Sequence, residues 1–427
     1  MQHPRGKTAY AMQARRIVQI RDDGDSPRRA QRRMTGVAGR HGKNAKTFDE
    51  GRQRTHADVA AAYDQQARAT EGFRRIFHFS DCSMAYNVSL VPSGREFQVE
   101  DGEAVLSAAL RQGIGLPYGC KNGGCGSCKA KLVEGSVEHG AHSASALTKD
   151  EETRGFALLC CAHAKGDLVI ESREVKGIGD IPVKRLPCRV NALERRADDV
   201  IVMRLQLPAN ERFQYLAGQY IEFILKDGKR RSYSMATAPH EEGFLELHLR
   251  HMPGGAFTDH VFNHMKEREI LRFEGPLGTF FLREDSDKPI VLLASGTGFA
   301  PIKAIVEHAV HKGLDRPMTL YWGARQLKDI YLRELAEQWA RDIPGFRFVP
   351  VLSEAAPEDQ WQGRTGFVHR AVAEDLPDMS GYEVYACGAP VMVEAARRDF
   401  IAHHHLPEDA FFADAFTTEA DNPGGGQ

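Results

Sequence analysis

The stretch Cys120-Lys121-Asn122-Gly123-Gly124-Cys125-Gly126-Ser127-Cys128 decides how the first half of this chain is read. Its cysteines stand four and then two residues apart, and a further pair, Cys160-Cys161, follows about thirty residues on. Three thiolates from one loop and a fourth from a distant segment is the spacing of a [2Fe–2S] centre. Gly123, Gly124 and Gly126 leave the loop without side chains, so its backbone can turn left-handed and aim N–H groups at sulfur. Zinc sites usually pair two Cys-x2-Cys hooks, and only one is present. Disulfides would require an oxidising compartment, which nothing else in the chain suggests. Cys160 and Cys161 follow the apolar run Phe156-Ala157-Leu158-Leu159, which reads as a strand end. Side chains alternate along a strand, so one of the two cysteines faces the cluster and the other is a small core residue.

The chain has 427 residues, 42% hydrophobic and 27% charged, which predicts a soluble protein of about three domains. A net charge of −2 argues for neither a nucleic-acid nor a membrane-surface partner. No apolar run approaches the roughly 18 residues of a membrane-spanning helix. Eight cysteines are too sparse for a disulfide scaffold, and cluster spacing among them points to a reducing cytoplasm. Residues 1–83 carry 17 Lys and Arg against 9 Asp and Glu, a net of +8, leaving −10 for the remainder. Leu90 is the first leucine. Such a segment cannot bury enough apolar surface to offset its ordering entropy, and is expected to be a disordered extension or a start-site artefact.

From residue 84 to 175 the pattern is two short strands (VSLVPSG and REFQVE), a helix over 104–112, the cysteine loop and further strands. Residues 176–183 read as a linker. Over 184–284, short strands such as CRVNAL, VIVMRLQL, YIEFIL and FLELHLRH predict an antiparallel barrel. Over 285–418, apolar strands alternate with helical patterns, the signature of βα units on a parallel sheet. Residues 419–427 read as a disordered tail. The fold class is therefore α+β and multidomain.

Within the barrel, Arg231-Ser232-Tyr233-Ser234 places a cation, an aromatic ring and a hydroxyl at a strand end, as a flavin diphosphate, ring and reactive nitrogen would require; an ordinary exposed strand is the bland reading. Gly254 and Gly255 precede a helix whose N–H groups, with the Thr258 hydroxyl, suit a pyrophosphate. Ile290–Ser295 leads into Gly296-Thr297-Gly298-Phe299-Ala300-Pro301, where two glycines allow close backbone approach to a phosphate-bearing ligand and Pro301 suits a first helical turn. Cys387-Gly388 ends another strand at the sheet edge where ligands sit, with a buried structural cysteine as the alternative. The run His403-His404-His405 reads as solvent-facing imidazoles near a helix end.

These strings, with EGPLG, YWGAR and YACGAP, occur in the order found in the ferredoxin–NADP reductase superfamily, and the chain over 84–416 resembles its iron–sulfur flavoprotein reductases with an N-terminal plant-type ferredoxin. The resemblance implies a β-grasp [2Fe–2S] ferredoxin domain, a FAD barrel and an NAD(P) domain. The form Cys-x6-Asp-hydrophobic selects Cys160 as fourth ligand beside Cys120, Cys125 and Cys128. The resemblance further implies Arg231 on the flavin diphosphate, Tyr233 against the ring and Ser234 near its reactive nitrogen. Gly296, Thr297, Gly298, Ala300 and Pro301 would hold the dinucleotide, Cys387 and Gly388 would lie near the nicotinamide, and Phe416 beside the flavin. Arg325 and Lys328 could clamp a 2′-phosphate, but Asp329 offsets them and Ala324 stands where NADPH-selective relatives carry serine. NADH is therefore the expected donor, with some NADPH use. The acceptor would be a protein: the dehydratase partner of a CDP-6-deoxy-delta-3,4-glucoseen reductase or, alternatively, an oxygenase component. A non-enzymatic redox carrier or sensor is the reading from a different class.

Overall fold

The computed structural model describes residues 85–417. The expectations for residues 1–83 and 419–427 lie outside that range.

The first sheet has the order β2-β1-β7-β3-β5. β1 (Ala85–Val91) pairs antiparallel with β2 (Glu96–Glu100) and parallel with β7 (Leu168–Glu171). β3 (Lys129–Glu134) pairs antiparallel with β7 and with β5 (Phe156–Leu158). Alternation explains the faces: Phe97 and Val99 of β2 point inward while Glu96, Gln98 and Glu100 are exposed. Helix α1 (Val105–Arg111) covers the sheet with Val105, Leu106, Ala108 and Ala109, all buried. β4 (Val137–His139) and β6 (Ala162–Ala164) form a separate pair. Helix α2 (Lys149–Thr153) opens with a capping box between Thr148 and Glu151. One expectation is corrected here: Cys160 and Cys161 do not close a strand but occupy the turn between β5 and β6. The Cys161 N–H donates to the Leu158 carbonyl at 3.1 Å, so turn geometry rather than strand alternation separates the two thiols.

The second sheet, with β11 (Arg230–Ser234), β10 (Tyr220–Ile224), β13 (Ile270–Leu277), β8 (Lys184–Ala197), β9 (Val200–Gln206) and β12 (Phe244–Arg250) in that order, is antiparallel throughout. A bridge between Met235 and Leu247 joins its two edges and closes the barrel. In β8 (Lys184–Ala197), Leu186, Cys188 and Val190 line the core while Arg185, Pro187 and Arg189 face out. β12 (Phe244–Arg250) is different, because Glu246 and His248 are buried alongside Leu245, Leu247 and Leu249. The leucines fill the barrel, and the polar pair meets the third domain.

That domain is a parallel sheet in which β17 (Arg364–Thr365), β16 (Phe346–Leu352), β15 (Met318–Ala324), β14 (Ile290–Ser295), β18 (Glu383–Gly388) and β19 (Phe411–Ala415) lie side by side in that order. β14 (Ile290–Ser295) is buried on both faces, so it lacks a polar alternation. Ile290, Leu292 and Ala294 join a core on one side, and Val291 and Leu293 join another on the opposite side. Helix α4 (Phe299–Lys312) follows β14 through one tight turn at Gly296–Gly298. Phe299 stacks on Trp322 of β15 (Met318–Ala324) at 3.9 Å, and the Trp322 indole N–H donates to the Gly296 carbonyl at 3.1 Å. These contacts hold the glycine turn against the sheet edge.

The cysteine loop is tied to the barrel by a reciprocal pair. The Tyr118 N–H donates to Thr279 Oγ1 at 2.8 Å, and the Thr279 N–H returns to the Tyr118 carbonyl at 3.0 Å.

Candidate functional site

The loop between α1 and β3 turns through Gly123 and Gly126, with φ of 76° and 74°. A Cβ at Gly123 would stand 2.8 Å from the Ala141 carbonyl, so only glycine fits there. The turn brings sulfurs together. Cys120 and Cys125 exchange backbone N–H to Sγ contacts at 3.2 and 3.3 Å. The Cys160 thiol meets those of Cys120 and Cys128. Cys161 meets the Cys160 thiol and turns its Sγ toward the Leu158 carbonyl at 3.6 Å. Contact with Cys120 and burial push the Cys125 thiol well up; contact with Cys160 and burial do the same for Cys128. Crowded, dry sulfurs of this kind are deprotonated only beside strong positive charge, which metal ions supply. Among the described residues no group of three or more His, Cys, Asp or Glu is arranged to hold a single metal ion. The four thiols are linked in one run of contacts, Cys125 to Cys120, Cys120 to Cys160 and Cys160 to Cys128, so the loop and the distant turn converge on one place.

Beside this loop lies the end of β11 (Arg230–Ser234). Its register with β10 (Tyr220–Ile224) sets Tyr220 opposite Ser234 and Ile221 opposite Tyr233. Arg231 and Tyr233 therefore share one face of the strand and Ser234 points to the other. Tyr233 packs with Phe223 and Phe257 at ring distances of 5.8 and 5.7 Å. The Arg231 guanidinium donates to the Arg230 carbonyl at 2.8 Å. Ser234 Oγ donates to Asp414 Oδ2 at 3.0 Å. Burial pushes the Asp414 carboxyl up to about 7 against the Ser234 hydrogen bond, and the nearby Cys125 adds to the rise. The Tyr220 hydroxyl, on the Ser234 face, is buried without a hydrogen-bond partner. A buried, orphaned hydroxyl on the Ser234 face is one that a flavin's polar edge would satisfy, so these residues fit the group.

The nucleotide motifs are partly as expected. Gly296 takes φ 53°, and Ala300 and Pro301 open α4. The close approach that the glycines permit is, however, to protein. A Cβ on Gly296 would lie 2.7 Å from the Arg250 guanidinium, and one on Gly298 would lie 2.1 Å from the Cys387 carbonyl oxygen. Thr297 is buried within the same turn. Gly388, with φ 130°, closes against Ser295, whose Oγ accepts from the Ala389 N–H at 2.9 Å. Cys387 is fully buried, and burial with the Asp414 charge holds its thiol well above the usual range. The Phe416 N–H donates to the Gly388 carbonyl at 2.8 Å. At helix α3 (Ala256–Asn263) the expected anion donors are already engaged. Thr258 Oγ1 donates to the Met252 carbonyl at 2.9 Å, the Gly254 N–H reaches Asp259 at 3.1 Å, and the Gly255 N–H reaches the Met252 carbonyl at 2.8 Å.

Sequence reasoning missed Asp414, Tyr220, Arg250 and Asp199. Asp414 left one signal, a lone acid inside the apolar string FFADAF. The other three are ordinary in sequence and gain meaning only from cross-strand register.

Fold and site together define an oxidoreductase with three cofactor-binding domains. Residues 88–165 match the 2Fe-2S iron-sulfur cluster binding domain, 187–282 the oxidoreductase FAD-binding domain and 292–398 the oxidoreductase NAD-binding domain. The chain is 44% identical over 333 residues to the CDP-6-deoxy-L-threo-D-glycero-4-hexulose-3-dehydrase reductase of Yersinia pestis, covering 78% of this chain and 99% of that protein. It is 35% identical over 348 residues to the phenol hydroxylase P5 protein of Acinetobacter pittii, covering 80% and 97%. The crystal structure of Amycolatopsis cytochrome P450 reductase GcoB superposes with a TM-score of 0.63 at 34% identity, covering 78% and 99%. The chain belongs to the iron–sulfur flavoprotein reductase family of NAD(P)H-dependent oxidoreductases. No helix among the described residues is long and apolar enough to cross a membrane.

Proposed function

We propose that this reductase draws electrons from NADH and delivers them, in the cytoplasm, to a dehydratase component acting on a CDP-linked 6-deoxyhexulose. The observation that carries the flow of electrons is the placement of Asp414, which accepts from Ser234 on one side and lies within electrostatic reach of Cys125 on the other. Bound flavin supplies the conversion between a two-electron hydride donor and a one-electron iron–sulfur acceptor. The protein's part is positioning. Cys120, Cys125, Cys128 and Cys160 hold the cluster. Tyr233 would bound the flavin ring, Arg231 would meet its diphosphate, and Ser234 and the Tyr220 hydroxyl would meet its polar edge. Asp414, buried and with its carboxyl raised to about 7, is poised to take up or release a proton beside Ser234 near neutral pH. The Gly296–Gly298 turn and the Cys387-Gly388 strand end receive the dinucleotide, with Phe416 beside the flavin.

The dehydratase assignment rests on the 44% identity to the Yersinia reductase, over 99% of that protein's length. Similarity to the phenol hydroxylase component supports an oxygenase acceptor as the second reading. Purified protein is mixed with NADH and either a CDP-4-keto-6-deoxyhexose dehydratase or an oxygenase component. Sugar deoxygenation dependent on this chain supports the proposal, and product formation only with the oxygenase replaces it by the second reading.

A further inference from the structure

Two cations near the end of β15 could receive a 2′-phosphate, Arg325 and Lys328. Neither faces open solvent alone. Arg325 Nη2 lies 3.9 Å from Asp199 Oδ2 and its Nε lies 3.4 Å from Asp329 Oδ2. Lys328 Nζ lies 3.2 Å from Asp198 Oδ2. Asp198 and Asp199 form the turn between β8 and β9 (Val200–Gln206), so they come from the barrel and not from the nucleotide domain. The turn is anchored, because the His251 N–H donates to the Asp199 backbone carbonyl at 2.8 Å. Asp199 also pairs with Arg250 Nε at 3.1 Å, and the Arg250 guanidinium is the group pressed against Gly296. Arg250, Asp199 and Arg325 thus form a charge line from the glycine turn to the end of the second parallel strand. In dinucleotide sites of this topology the pyrophosphate sits at the first position, and the adenosine 2′ group near the second.

We propose that Asp199, assisted by Asp198, sets the preference for NADH over NADPH by occupying the cations that a 2′-phosphate would need. A phosphate arriving at Arg325 must displace or share it with a carboxylate already in place, and it meets that carboxylate's negative charge. A 2′-hydroxyl carries no charge and suffers neither penalty. Arg325 and Lys328 are more than half exposed, so the pairs stabilise the fold little, and their effect falls on ligand choice. The inference rests on the proposed use of a nicotinamide dinucleotide by this site.

The test uses the FAD-loaded full chain and its Asp199→Asn variant, with 2′,5′-ADP and 5′-ADP as probes in calorimetry. Asp199→Asn is expected to tighten 2′,5′-ADP roughly fivefold at low salt while leaving 5′-ADP within about twofold. The NADPH to NADH ratio of kcat/KM should rise in step. Adding Arg325→Ala to Asp199→Asn should abolish the gain, and high salt should shrink it. Asp198→Asn, farther out on the turn, should give a smaller change in the same direction and guards against a folding defect in the first variant. Equal changes for both probes, or none, overturn the role of Asp199. Failure of the parent protein to bind either probe would overturn the dinucleotide site as well.

Discussion

Ser234 Oγ donates a hydrogen bond to Asp414 Oδ2 across 3.0 Å, joining the barrel to the last strand of the parallel sheet, 180 residues away in sequence. The contact is buried on both sides and lies beside the cysteine loop. It ties the proposed flavin edge to the sheet that carries Cys387.

Asp414 gives a pH dependence with a definite sign. Its carboxyl is raised from 3.8 to about 7, chiefly by burial, so between those values the folded chain binds a proton that the unfolded chain has released. Stability from this group is complete below about pH 4 and is lost as pH rises through 7. Thermal midpoints of Asp414→Asn should therefore fall less between pH 5 and pH 8 than those of the parent. NADH-dependent ferricyanide reduction should also lose a pH transition near 7. Parallel profiles for the two proteins would contradict the assignment.

The cysteines separate by position. Cys120→Ser, Cys125→Ser, Cys128→Ser and Cys160→Ser should each lose the red-brown cluster absorbance, with iron and acid-labile sulfide, while retaining FAD. Cys161→Ser should keep the cluster, because its thiol is turned toward the Leu158 carbonyl. A normal cluster in Cys160→Ser together with its loss in Cys161→Ser would move the ligand by one residue.

A protein beginning at Met84 should bind both cofactors and oxidise NADH like the full chain. The alignment to the Yersinia reductase spans 99% of that protein and 78% of this one, and the first matched domain starts at residue 88. Flavin content and NADH-dependent cytochrome c reduction check this; a large loss of either would assign the first 83 residues a role in the enzyme.

Sequence local to each site was the most legible. The 4-2 cysteine spacing, the short alternating strands and the strand–glycine–helix turn each encode structure within about twenty residues, and each corresponds to a feature of the fold. Relations between domains were not legible. Asp199 reads as a turn acid, and only pairing of β8 with β9 and packing against β15 brings it to Arg325. The faces of Arg231, Tyr233 and Ser234 follow from strand alternation once the strand is placed. The bonds that Thr258 and Gly255 make to Met252 were not legible, because they depend on how the Met252–Gly255 turn closes.

The barrel and the nucleotide domain meet through buried charge. Lys303 of α4 reaches Glu246 at 3.4 Å and Glu307 at 2.9 Å, and Glu246 also meets His248 at 3.2 Å and Arg204 at 3.1 Å. Burial acts to raise the Glu246 carboxyl, but the His248 hydrogen bond and the Lys303 and Arg204 charges outweigh it and hold the group well below the usual range. Its contribution is thus present above the ordinary carboxylate value and is lost as pH falls toward the depressed one. Removing one partner of such a group leaves uncompensated charge, which costs more than the pair itself contributes. Lys303→Met should therefore destabilise the protein by about 3 kcal/mol, leaving Glu307 without its ion-pair partner and Glu246 with only His248 and Arg204. Adding Glu246→Gln to Lys303→Met should recover a substantial part of that loss, since a neutral amide can still bond His248 and carries no buried charge. Urea unfolding followed by flavin fluorescence and by circular dichroism measures both variants. A Lys303→Met protein within about 0.5 kcal/mol of the parent, or a double variant less stable than the single one, would show that this interface is not held by charge pairing.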